Sequence, residues 1–185
     1  MANANKIVLG SGKLYIMPAT KNASGHYDIP EDATFEVDAN ILGCIKGGAT
    51  ISYTPTFTTV TDDLGCHKKT FLTEEEAKFT SGILTWNMET LSKLQTACEY
   101  TEDTTAGVRI LKLGGIGRFD GSQWMLRFVH EDAEQGDIRV TIVGSQTGGF
   151  ELQFQPESES VVNAEFTAVP SDDEGTLVIF KETIV

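Results

Sequence analysis

Trp124-Met125-Leu126-Arg127-Phe128-Val129 and Ile138-Arg139-Val140-Thr141-Ile142-Val143 decide the fold class. In both stretches one residue set, Trp124/Leu126/Phe128 and Ile138/Val140/Ile142, takes every second position. A period of two is the signature of a strand with one face in a core. The pattern recurs outward in both directions. Phe150, Leu152 and Phe154 alternate with Glu151, Gln153 and Gln155, and Val162, Ala164, Phe166 and Ala168 with Asn163, Glu165 and Thr167. A short β-forming run, Leu177–Phe180, follows the turn signal Asp172-Asp173-Glu174-Gly175. Upstream, Leu14–Met17 ends at Pro18, and Glu76–Trp86 alternates again. Ile41–Ile45 and Ala49–Thr54 flank Lys46-Gly47-Gly48, which predicts a Gly-containing hairpin. Phe57–Thr61 continues the second of these past Pro55, which points to an edge strand or a bulge because proline cannot donate to a ladder.

One helix is expected. Met88, Leu91, Leu94 and Cys98 recur at spacings of three and four, which places them on one helical face. Asn87 sits at the N-cap position, Glu89 lies in the first turn, and Tyr100-Thr101-Glu102-Asp103 reads as the polar loop that follows. The count is about ten strands and one short helix, an all-β sandwich or partial barrel forming a single domain over residues 1–185. Residues 1–9 read as a flexible N-terminal arm. Residues 18–34 and 62–75 read as long connections, which in compact domains tend to carry function.

Composition narrows the function classes. Of 185 residues, 40% are hydrophobic and 22% charged, an ordinary globular profile. The 27 acidic against 14 basic side chains give a formal charge of −13, which disfavours tight binding to phosphate backbones. The three cysteines are widely and irregularly spaced, unlike a disulfide framework. No apolar run approaches the roughly 20 residues of a membrane helix, and the N-terminus lacks a signal-peptide pattern. These features predict a cytoplasmic, non-membrane protein.

Motifs for chemistry are sparse. His26, His67 and His130 do not share a ligand spacing on one element, and the adjacent Cys66-His67 would point to opposite faces of a strand. Gly114-Gly115-Ile116-Gly117 is followed by another strand pattern, so it reads as a turn and not as a phosphate cradle. There is no Gly-x-Ser-x-Gly elbow. The sequence therefore assigns no catalytic residue, metal or cofactor, and the expectation is a non-enzyme. Trp86 and Trp124 fall in strand patterns and read as packing residues.

Several stretches together resemble the bacteriophage tail tube (major tail) proteins. They are Gly10-Ser11-Gly12-Lys13-Leu14-Tyr15-Ile16, then Leu42-Gly43-Cys44-Ile45-Lys46-Gly47-Gly48-Ala49-Thr50-Ile51-Ser52-Tyr53, similar to an early strand and Gly-Gly hairpin of that family. A polar segment with Lys68-Lys69 and Glu74-Glu75-Glu76 follows, then a strand feeding the helix through Ile83-Leu84-Thr85-Trp86-Asn87-Met88 to Leu91 and Leu94. The resemblance implies a sandwich-like domain that forms hexameric rings. Four strands of each copy would join a continuous inner barrel, and stacked rings would give a hollow tube for DNA passage. The implied partners are further copies, the tape measure, initiator and terminator proteins, and DNA in transit without specific binding. The implied location is the virion tail, after synthesis and assembly in the bacterial host cytoplasm. Under this reading Asp62, Asp63, Leu64, His67, Lys68 and Lys69 are inter-ring contact candidates. Thr50, Ser52, Thr54, Lys78, Thr80, Arg139, Thr141, Glu151, Gln153 and Gln155 are lumen candidates. The competing expectation is a β-sandwich binding module for capsid decoration, adhesion or carbohydrate, which would expose an aromatic patch.

Overall fold

The computed structural model describes residues 10–149, 151–154, 156 and 159–184. The expected N-terminal arm, residues 1–9, lies outside them, as do Phe150 and Gln155. The fold is all-β and sandwich-like. Its strands are β1 (Lys13–Pro18), β2 (Ile41–Gly43), β3 (Ile45–Thr61), β4 (Lys68–Ile83), β5 (Cys98–Asp103), β6 (Val108–Leu113), β7 (Trp124–His130), β8 (Ile138–Gln146), β9 (Val162–Ala168) and β10 (Val178–Glu182). Two short helices, α1 (Asp32–Phe35) and α2 (Met88–Lys93), replace the single one expected. Eight strands form one antiparallel sheet in the order β2-β1-β7-β8-β9-β4-β3, with β10 also beside β8, while β5 and β6 pair separately. The large sheet is open and does not close into a barrel.

Alternation sets which side chains go where. Leu14, Ile16, Leu126, Ile142, Phe79, Ala164 and Phe166 form the main core on one face, joined by Leu91 and Leu94 from the α2 region. This is the α2 face. The intervening residues Tyr15, Met125, Val129 and Val143 build a second, smaller core around Phe35 of α1 on the opposite face. The central strands are thus covered on both sides, which explains apolar residues at both parities of Trp124–Val129. Gly144 marks a close approach of β8 to β9: a Cβ there would lie 2.1 Å from the Thr167 carbonyl oxygen.

The helix expected after Trp86 is present. The Asn87 side chain accepts from the Thr90 amide, a regular N-cap. It stops at Lys93, however, and Cys98 opens β5 instead of extending the helical face. Tyr100–Asp103, expected as a loop, belongs to β5 and pairs with β6, from Tyr100 opposite Leu111 to Asp103 opposite Val108.

Three further expectations need correction. Lys46-Gly47-Gly48 is no hairpin. β2 pairs with β1, and the two glycines sit inside β3 where the register to β4 shifts between Lys46 and Ala49. Both have positive φ, 81° and 79°, which suits glycine in a bulge as well as in a turn. Residues 62–75 are not one long loop. Only residues 62–67 connect, and from Lys68 onward the chain is β4, with Lys68 opposite Thr61 and Phe71 opposite Thr58. Residues 151–154 form no strand. Pro55 does lie on an edge strand, opposite Glu75, and a second register shift follows between Thr56 and Phe57.

Candidate assembly surface

The α1 face changes character along the sheet. Under α1 it is closed, and this covers β8 as far as Val143; from Ser145 at the end of β8 across β9, β4 and β3 it is polar and open. Ile51, Phe79 and Phe166 point into the core, so their neighbours point the other way. Thr50 stands opposite Thr80 and Ser52 opposite Lys78 on β3–β4. Lys78 stands opposite Thr167 and Thr80 opposite Glu165 on β4–β9, and Ser145 opposite Thr167 on β8–β9. The Thr147 and Thr167 hydroxyls are 2.7 Å apart, extending the surface to the end of β8. Five lumen candidates, Thr50, Ser52, Thr54, Lys78 and Thr80, therefore share one continuous face. Glu76, Asn163, Glu165, Thr167 and Ser145 join them there. Lys78 Nζ lies 3.0 Å from Glu76, and that carboxylate's hydrogen bond raises the lysine pKa. A shallow cleft of about 290 Å³ lies beside the Gly47–Gly48 bulge, lined by Lys46, Thr50, Thr80, Asn163 and Glu165.

This face ends at an open edge. β3 is the outermost strand, 17 residues long, and β4 is its sole strand partner among the described residues. Backbone donors and acceptors along such an edge are a template for a strand of another chain.

Beyond Lys78 β9 no longer accompanies β4, and β3–β4 continue as a two-stranded ribbon. No residue from 56 to 74 is buried. Phe57 (60% exposed), Val60, Phe71 and Leu72 are apolar on it, and Leu64 at its tip is 86% exposed. Lys69 Nζ sits 4.9 Å from the centre of the Phe71 ring. At the tip the Asp62 carboxylate accepts from the His67 amide at 2.7 Å, and the Asp62 amide donates to the His67 carbonyl at 3.0 Å. Asp62 and His67 thus shape the turn, whereas Asp63, Leu64, Lys68 and Lys69 project outward.

Arg139 and Thr141 do not belong to the open face. They lie beneath α1 in an ion-pair network that sequence reading missed. Arg127, 4% exposed, reaches Asp32 at 3.0 Å and Glu36 at 3.3 Å, and its Nε donates to Thr141 Oγ1 at 3.0 Å. Its guanidinium carbon lies 4.4 Å from the centre of the Phe35 ring. Arg139 pairs with Glu36 at 2.8 Å and Asp137 at 3.2 Å, and Lys181 pairs with Asp32. A lining residue must meet solvent, so Arg139 and Thr141 leave the lumen set. Glu151 and Gln153 are exposed on an irregular segment and line a cleft with Asn163 at the start of β9, and Gln155 lies outside the described residues.

The network carries a pH signature. Hydrogen bonding to Lys181, with the nearby Arg127 and Arg139, holds the Asp32 carboxyl below its usual range. A depressed carboxylate stabilises the fold above its unfolded pKa of about 4 and loses that contribution as pH falls through the lower folded value. The stability gap between wild type and Lys181→Met is therefore expected at neutral pH and should shrink below about pH 4. Urea unfolding at several pH values measures it, and a gap unchanged at pH 2 would contradict the assignment.

Among the described residues, no group of three His, Cys, Asp or Glu side chains is placed to hold a metal ion. Cys44 and Cys66 are exposed free thiols, and burial raises the pKa of Cys98. Trp86 donates from Nε1 to the Ser160 carbonyl at 3.2 Å and is partly buried, as is Trp124. No protein-family model matches the chain, and no curated protein matches it in sequence.

Proposed function

We propose that the protein is the structural subunit of a phage, or phage-derived, tail tube. The observation that carries the reading is the polar face of β9, β4 and β3, reached at one side by Ser145 of β8, ending at a seventeen-residue edge strand with no outer partner among the described residues. Six copies joined edge to edge would turn four strands each toward a common lumen. Closing the ring removes the exposed edges that otherwise invite aggregation, and a head-to-tail contact that closes gives a ring. Hydroxyl and mixed-charge side chains on the inner wall offer DNA phosphates no basic track to adhere to. The chain's overall charge of −13 acts in the same sense. The ribbon, with its apolar residues uncovered in a single copy, is suited to contact the next ring. Tape measure, initiator and terminator proteins are the further partners of such a tube, and the virion tail is its place.

Negative-stain electron microscopy of the concentrated, untagged protein, run beside a sizing column, tests this. Rings or hollow tubes of uniform width are expected. One second reading has support: the exposed Tyr53, Phe57 and Phe71 also suit a β-sandwich binding module. A monomer that persists at high concentration, and when mixed with preformed tail tips, would favour that module.

A further inference from the structure

Two features on the α2 side of the sheet complement each other. The first is a groove between β10 and the base of the ribbon. It encloses about 500 Å³, with Ile51, Tyr53, Val178 and Phe180 on its apolar walls and Glu75 and Glu174 beside them. The charged residues that line it are thus acidic, and Tyr53 and Phe180 are more than half exposed. The second is a knuckle after β6. Gly114 and Gly115, with φ of 91° and 97°, turn the chain there. On the knuckle Ile116 is 97% and Phe119 58% exposed, for residue types that are usually buried. Arg118 is the one charged side chain of Gly114–Phe119. It braces the turn by donating to the Gly114 carbonyl at 2.7 Å and to the Glu99 carboxylate at 3.1 Å.

The strand registers set the two apart. Phe180 of the groove stands opposite Val140, near the start of β8. Gln146 ends β8 and lines one cleft with Arg118, Asp120 and Trp124 beside the knuckle. From Val140 to Gln146 the strand rises about 20 Å, so the knuckle of one copy lies well away from its own groove. We propose that the groove of one copy receives the Ile116–Phe119 knuckle of a second copy, head to tail. Ile116 and Phe119 cover Tyr53 and Phe180, and Arg118 comes beside Glu75 and Glu174. Shape and charge both favour the pairing: an apolar projection with a basic side chain meets an apolar hollow with an acidic rim. Projection and hollow are different surfaces, so the contact is heterologous and repeats from copy to copy. The ribbon leaves the fold at the groove's end, since Tyr53 and Glu75 form its base, and both then face the same neighbour. Placing that neighbour in the next ring rests on the tube reading; the contact itself does not.

Thiol cross-linking tests it. Cys44→Ser and Cys66→Ser first remove the two exposed thiols. In that background, Ile116→Cys protein is mixed with Phe180→Cys protein at high concentration and treated with a short bis-maleimide. Cross-linked heterodimer is expected at least about tenfold above a control mixture of Thr105→Cys and Phe180→Cys proteins, because docking raises the local thiol concentration. Thr105 is an exposed residue of the β5–β6 turn. Adding Tyr53→Asp to the Phe180→Cys protein should return the yield to the control level. A yield no higher than the control would overturn the proposal, as would Ile116→Cys protein linking only to itself. Electron microscopy of the background protein keeps the two readings apart. Tubes without the heterodimer would remove the knuckle contact and leave the tube, whereas the heterodimer without tubes would support the contact and count against the tube.

Discussion

Replacing Arg127 by alanine is expected to cost about 3–5 kcal/mol of folding free energy, the range for removing one member of a buried ion pair. The guanidinium is nearly inaccessible and serves four partners: Asp32, Glu36, the Thr141 hydroxyl and the Pro30 carbonyl. It also covers the Phe35 ring, so its loss uncovers the second core as well as the two carboxylates. Arg139 and Lys181 still hold Glu36 and Asp32, which places the result toward the lower end of that range. Arg127→Lys keeps the charge but not the planar fork, and should fall between alanine and wild type. Urea unfolding followed by tryptophan fluorescence measures all three. A loss below about 1 kcal/mol for alanine would mean that the α1 segment is held by Phe35 packing alone.

The second large effect is on assembly. Excising residues 56–74 and joining Pro55 to Glu75 through Asn-Gly should leave a folded monomer that lacks the proposed tube assembly. Pro55 and Glu75 are directly opposed, and Asn-Gly favours the two-residue hairpin turn that such a pair needs. No buried residue is removed, so stability should change by no more than about 1 kcal/mol. Cutting only residues 64–70 is a poorer test, because Lys68–Thr70 pair with Thr59–Thr61 and the cut would strand that side of the ladder. Electron microscopy beside circular dichroism reads the outcome. Normal tubes from the shortened protein would refute a role for the ribbon while leaving the polar-face assignment standing.

Much of the molecule was legible because its signals are local. Alternation found β7, β8, β9 and the proximal part of β4, since each has a core on at least one side to select apolar residues at every second position. Asn87 marked the start of α2 because its capping bond spans three residues. Pro55 marked an edge strand because a missing amide is tolerated there.

What failed depended on partners distant in sequence. The distal part of β4, residues 68–75, has no core to alternate against, so it read as loop, whereas Phe57–Thr61 opposite it was legible as strand; only cross-strand pairing shows the β4 half of the ribbon. The outer face of β5 is solvated for the same reason. Gly47 and Gly48 need positive φ in a hairpin and in a bulge alike, and the choice between them is made by which strand lies alongside. Arg139 and Thr141 occupy polar positions of an alternating strand, which by local pattern means solvent. Asp32 and Glu36, roughly a hundred residues away in sequence, cover them through α1. The sequence by itself determined the strands that touch a core, the capped helix and the edge proline, because neighbours within a few residues supply those constraints. The tertiary structure alone decided the distal part of β4, the bulge and the buried network, because each depends on a partner that no local pattern can specify.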